Sequence, residues 1–177
     1  MAFDELHHGV GRAAVTAHQF VFQPKARIAK WVVDRIPHMG RFEDLGPYEV
    51  MGISSSDGMP LAGVVWTNYR GHDITLNLAA DSPRWARRGV ITAILSYPFR
   101  QLQCERCTSF VGRQNKRSYR ITEGVGFKRE GLMRRAADGW EDVHVFGMLR
   151  EEFEERWGKY LKEREDGQEI VIAAGCA

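Results

Sequence analysis

The stretch His72-Asp73-Ile74-Thr75-Leu76-Asn77-Leu78-Ala79-Ala80-Asp81-Ser82-Pro83-Arg84-Trp85-Ala86-Arg87-Arg88-Gly89-Val90-Ile91 decides how this chain is read. Asp73, Thr75, Asn77 and Ala79 alternate with Ile74, Leu76, Leu78 and Ala80, the period-two pattern of a strand with two different faces. Asp81-Ser82-Pro83 turns the chain, and a helix carrying Arg84, Arg87, Arg88 and Gly89 is expected to follow, with Ile91, Ile94 and Leu95 on its buried side. A strand, a basic glycine-containing turn and a helix together suit a phosphate. The first N–H groups of a helix have no partner within it and point at any anion placed there.

The surrounding segments extend the same plan. Pro98 removes one internal hydrogen bond, so the helix is expected to kink or restart before it ends at Leu102. Residues 106 to 111 read as a second core strand, and Asn115 is a good N-cap for a helix that stops at Gly124-Val125-Gly126-Phe127. Upstream, residues 13 to 22 are a candidate first strand. Ile28, Trp31, Val32 and Ile36 form an apolar stripe on a helix over 24 to 36 that Pro37 and Gly40 stop. Residues 41 to 47 read as a loop. Strands over 48 to 53, 61 to 69 and 73 to 80, joined by tight turns, predict an antiparallel meander. Downstream, 127 to 134 and 142 to 149 pair across Asp138-Gly139, and Phe153, Trp157 and Leu161 mark a last amphipathic helix.

The Arg87-Arg88-Gly89 turn after a strand, and the Asn115-x-x-Ser118 helix closing on Gly126-Phe127, resemble the GNAT superfamily of acyl-CoA-dependent N-acyltransferases over about residues 45 to 150. With Glu130-Gly131 beyond it, the spacing looks most like the branch that acetylates the N-termini of ribosomal proteins. The resemblance implies an α/β (α+β) domain: a central mixed, mostly antiparallel sheet of six to seven strands flanked by helices, splayed at a cofactor cleft. It implies acetyl-CoA, or another acyl-CoA, as donor. A bulge near the end of the strand over 73 to 80 would expose the backbone of Asn77, Leu78 and Ala79 to the pantetheine arm. The pyrophosphate would lie at Arg84, Arg87, Arg88, Gly89, Val90, Ile91 and Thr92. Asn115 would reach the pantetheine or the acceptor, and Ser118 would stand near the thioester sulfur.

Two departures qualify that pattern. Ala86-Arg87-Arg88-Gly89-Val90-Ile91 keeps only the middle glycine of Gln/Arg-x-x-Gly-x-Gly/Ala, and bulky Ile91 stands where a small residue lets the backbone approach phosphate. Thr122 occupies the place where many relatives carry a tyrosine that protonates the leaving thiolate. Tyr119 faces another side of the helix. Ser118 and Thr122 are the remaining donors. Asp73 is the candidate base on the central strand, with Glu43, Asp44 or Asp142 acting through water as alternatives.

Composition bounds the rest. At 177 residues, 44% hydrophobic and 27% charged, the chain reads as one domain with a core over about 13 to 150, a helix over about 151 to 162, and a tail over 163 to 177 that is poorly ordered unless a partner holds it. No apolar run of 18 residues and no signal-like leader stand in the sequence, which suits a cytoplasmic protein off the membrane. Cys104, Cys107 and Cys176 are too few for a disulfide framework, and Cys104-x-x-Cys107 has no second pair to complete a zinc site.

The net charge is +2, but residues 84 to 135 hold thirteen Lys/Arg against Glu105, Glu123 and Glu130, a local surplus of +10. That asymmetry suits an anionic partner. Three readings stay open: an N-acetyltransferase acting on a protein N-terminus, small amine or aminoacyl group; a nucleic-acid-modifying enzyme of this fold, resembling the phage Mom proteins and binding DNA or tRNA; and a non-catalytic module of the same shape. A homodimer is compatible with each.

Overall fold

The computed structural model describes residues 18–161. The tail, the first part of the candidate opening strand, and Cys176 lie outside the described residues. Seven strands form one sheet in the order β1-β2-β3-β4-β5-β7-β6: β1 His18–Val21, β2 Tyr48–Ser55, β3 Pro60–Thr67, β4 Asp73–Ala80, β5 Arg106–Gly112, β6 Lys128–Met133 and β7 Val143–Leu149. Only β4 and β5 run parallel. This is the mixed, mostly antiparallel sheet expected, with β7 inserted between β5 and β6.

Helices cover both faces, and the alternation in β4 assigns each face its neighbours. Ile74, Leu76, Leu78 and Ala80 join the larger core with Trp66, Trp85, Ile94, Phe146 and Phe153, whereas Ala79 joins Ile28, Val32, Val50 and Val65 beneath α1 Lys25–Val33. Helix α1 stops before Asp34 instead of reaching residue 36. Pro37 opens a short 3-10 turn, Pro37–Met39, and Gly40 adopts φ +71°.

Helix α2 is Arg88–Ser96, shorter at its start than the sequence suggests. Pro83 opens a separate 3-10 turn, Pro83–Trp85, capped by the Ser82 hydroxyl accepting the Arg84 N–H, and Arg87 is extended at the N-cap. Pro98 does interrupt the helix, as a π-turn over Tyr97–Gln101. Helix α3, Lys116–Val125, has the cap foreseen for it: Asn115 Oδ1 accepts the Ser118 N–H at 2.9 Å. It ends on Gly126 at φ +116°, where Gly126 and Phe127 N–H groups donate to the last carbonyls. Helix α4, Arg150–Trp157, buries Phe153 and Trp157, and Glu152 accepts the N-cap N–H of Leu149.

Candidate functional site: a cleft between β4 and β5

The parallel pairing of β4 and β5 lasts three residues, Asp73 to Thr75 against Arg106 to Thr108. Beyond it β5 stays paired with β7 along Arg106–Gly112, while β4 stays paired with β3 as far as Ala80. The two strands therefore part. Backbone groups of residues 76–80 on the β5 side have no strand partner there, and a cleft of about 570 Å³ opens between the strands. That volume suits a small-molecule or cofactor site. One expectation is corrected: β4 carries no bulge against β3, since Ala62↔Ala80 runs in unbroken register to Thr67↔Thr75. The splay lies between β4 and β5, each of which keeps its other neighbour.

Helices wall the cleft. From α2 come Ile91, Ile94 and Leu95; from α3 come Ser118, Ile121, Thr122 and Val125, one helical stripe that meets open space. No residue of α3 is fully buried for that reason. Leu78, Ala79 and Ala80 line the β4 side, and Ser109 to Gly112 line the β5 side. Arg35, at the end of α1, holds Asp81 through two bonds of 3.0 and 2.9 Å, tying α1 to the end of β4 at the margin.

The sequence-derived candidates divide accordingly. Leu78, Ala79, Ile91, Asn115, Ser118 and Thr122 line the cleft together. Arg84, Arg87, Arg88 and Gly89 do not line it, but all four are exposed at the head of α2, where the first N–H groups are open. Val90 is buried, and Thr92 bonds its hydroxyl back to the Arg88 carbonyl at 2.9 Å. Asn77 turns its side chain to the α1 face, donating to Val65 O and Thr67 Oγ1, so only its backbone is at the parted edge.

Asp73 as base is a correction. It is 3% exposed at the closed end of the β4–β5 pair, bound by Arg70 at 2.7 Å and by the Thr108 hydroxyl at 2.9 Å, and it does not line the cleft. The alternatives fare similarly. Asp44 is paired with Arg41, and Asp142 accepts from Arg113 and from the Arg135 N–H, which hold its carboxyl below the usual range. Glu43 is exposed and away from the cleft. His144 is buried against Tyr119 and Phe146, accepting from Arg129 Nε, and burial pushes its pKa down. Tyr119 packs there too and is no substitute for Thr122.

Two polar side chains that sequence reasoning passed over do line the cleft, His38 and Glu141. His38 stands in the turn after α1, with its ring edge-on to Phe110 at 6.2 Å. Its Nε2 is buried without a hydrogen-bond partner, and burial pushes its pKa below the ordinary value, against the opposing pull of Glu141. Glu141 accepts the Gln114 N–H on Oε1 at 2.7 Å. The Pro37 stop after the helix over 24 to 36 was the only hint of the first. Nothing in the sequence pointed to the second.

No family model matches the sequence, and no curated protein matches it. Solved structures do match in three dimensions. Mutant forms of the spermidine/spermine N-acetyltransferase of Vibrio cholerae align over 80% of this chain and 99% of theirs, at 14% identity and TM-score 0.64. A ribosomal-protein-S5-alanine acetyltransferase of Vibrio fischeri aligns over 78% and 96%, at 12% identity and TM-score 0.59. This chain has the GNAT acetyltransferase fold. A further GNAT match, from Bacillus anthracis, is shorter: the chain spans 66% of its length, at 21% identity and TM-score 0.49. In the GNAT fold found here, neither buried free cysteine forms part of the cleft: desolvation raises Cys104 to about 11 and Cys107 well above the ordinary thiol value. Among the described residues no group of three or more His, Cys, Asp or Glu is placed to hold a metal ion, and no helix is long and apolar enough to cross a membrane.

Proposed function

We propose that this protein is an acyl-CoA-dependent N-acyltransferase that uses acetyl-CoA on a primary amine. One observation carries the reading: the parted β4 and β5 leave the backbone of residues 76–80 without a strand partner on the β5 side, in a cleft also walled by α2 and α3. Such an edge accepts an amide-bearing chain as an added strand would be accepted. The exposed N–H groups of Arg88 and Gly89, with the cations of Arg84, Arg87 and Arg88, suit a pyrophosphate. Those three arginines make no ion pair among the described residues; Arg88 lies over the Tyr160 ring at 5.1 Å. Bound acetyl-CoA would supply an activated acyl group.

The chain's own residues would then orient and polarise. Asn115, Ser118 and Thr122 present one amide and two hydroxyls to the cleft interior. These can hydrogen-bond a polar chain and hand a proton to a leaving group through water. The acceptor amine, whether a protein N-terminus, a small amine or an aminoacyl group, would enter on the side of His38 and Glu141. Calorimetric titration with acetyl-CoA and thiol release with a panel of primary amines test the reading. Binding followed by amine-dependent thiol release supports it, and no binding of acetyl-CoA overturns it.

A second reading, nucleic-acid modification, draws on the basic surface. Arg100, Arg106, Arg113 and Lys128 are engaged by Glu154, Glu130, Asp142 and Glu152, which reduces the surplus. Arg84, Arg87, Arg88, Arg117, Arg120 and Arg134 are exposed and make no ion pair among the described residues. Binding of DNA or tRNA that weakens steeply with salt would favour this reading.

A further inference from the structure

We infer that His38 is the proton acceptor for the incoming amine, with Glu141 beside it as the carboxylate that draws the ammonium in. This deepens the acyltransfer reading by assigning the acceptor end of the same cleft.

Both residues line the cleft, on different elements: His38 on the turn after α1, Glu141 just before β7. A buried ring nitrogen left without a hydrogen-bond partner is destabilising. Protein cores generally satisfy such atoms. Among the described residues His38 Nε2 has no hydrogen-bond partner. Placed in the wall of a cleft, that vacancy is filled when an N–H donor arrives. Nε2 is closed to solvent, so contact requires the ring to turn toward the cleft that His38 already lines.

The charged group that acts on the His38 ring is Glu141, a carboxylate that suits a cation as visitor. Arg35 is spent on Asp81, with two bonds, and stacks over Trp31 at 3.7 Å. Glu141 engages one backbone N–H through Oε1. Phe110 from β5 meets the His38 ring edge-on, and the charged groups lining the same cleft are Glu141 from the β6–β7 connection, Arg117 from α3 and the Arg35–Asp81 pair. Glu141 is the one that shifts the ring upward, against desolvation.

The step balances without any other group. An N–H bond of the ammonium breaks, its electron pair stays on nitrogen as the lone pair that attacks, and the proton moves to the neutral imidazole. The ring becomes imidazolium beside Glu141 and later returns the proton to solvent. A neutral imidazole is the form that burial favours near neutral pH, which is the form a base requires.

The test uses the full chain and n-propylammonium as probe, followed on the His38 ring Cε1–H resonance, which the His38→Gln variant identifies. The His38 resonance should titrate below the ordinary histidine value, and lower still in Glu141→Gln. Excess n-propylammonium should move it in the wild type, with apparent affinity about two- to fivefold weaker in Glu141→Gln and largely kept in Glu141→Asp. A probe that leaves His38 unmoved, or a Glu141→Gln protein that titrates and binds like the wild type, overturns the inference. Thermal melts establish that Glu141→Gln is folded. None of these readouts needs the donor, so failure to bind acetyl-CoA would remove the transferase reading while this experiment still decides the role of His38.

Discussion

Replacing Asp73 by Asn separates a structural acid from a catalytic one. Asp73 is 3% exposed and accepts from Arg70 at 2.7 Å and from Thr108 Oγ1 at 2.9 Å, with Arg106 Nε at 3.6 Å. Removing one member of a fully buried ion pair costs about 3–5 kcal/mol. Here the orphaned cations are better off than that. Arg70 is 66% exposed, and Arg106 keeps Glu130 at 2.8 Å. What is lost is charge-assisted hydrogen bonding at the one place where β4 and β5 are joined, worth about 1.5–3 kcal/mol. For a domain of this size that lowers the melting temperature by roughly 3–12 °C. Thermal and urea unfolding measure it. Acetyl-CoA affinity and amine-dependent thiol release should be little changed in the folded fraction, because Asp73 lies outside the cleft. A general base contributes about 10²–10⁴ in rate. An Asp73→Asn protein with unchanged melting temperature and acetyl-CoA affinity, but a rate lowered by that factor, would refute the placement argued here.

Gly63→Ala should loosen α1 from the sheet, since a Cβ there would meet Val32 Cγ2 at 2.7 Å and the Trp31 ring at 3.2 Å. The expected loss is about 1–3 kcal/mol in urea unfolding. Glu152, capped onto Leu149 N–H and paired with Lys128, has its carboxyl held below its ordinary value. Its contribution to stability is therefore present above that ordinary value and lost as pH falls through the lowered one. Melting temperature against pH should fall less steeply in Glu152→Gln below about pH 5. Cys104 and Cys107, with pKa values raised by burial, should resist alkylation in the native protein and react once denatured, as peptide mapping by mass spectrometry would report. Arg120→Glu and Arg134→Glu together, both exposed and outside the cleft, should leave acetyl-CoA affinity unchanged. A lost, salt-sensitive affinity for tRNA or DNA would support the nucleic-acid reading.

What the residues determined by themselves was local. Period-two alternation set the two faces of β4. Asn115 and Gly126 set both ends of α3, because a side-chain cap and a left-handed glycine act within a few residues of chain. The meander β2-β3-β4 followed from short turns for the same reason. The tertiary structure decided what depends on distant partners. β5 parts from β4 after Thr75 while all seven of its residues stay paired with β7, a pairing that no local pattern announces. That divergence makes the cleft, puts Asp73 at its closed end, and brings His38 and Glu141, about a hundred positions apart, to one wall. Proximity across such separations is fixed by packing and strand order, and a linear reading of side chains carries neither.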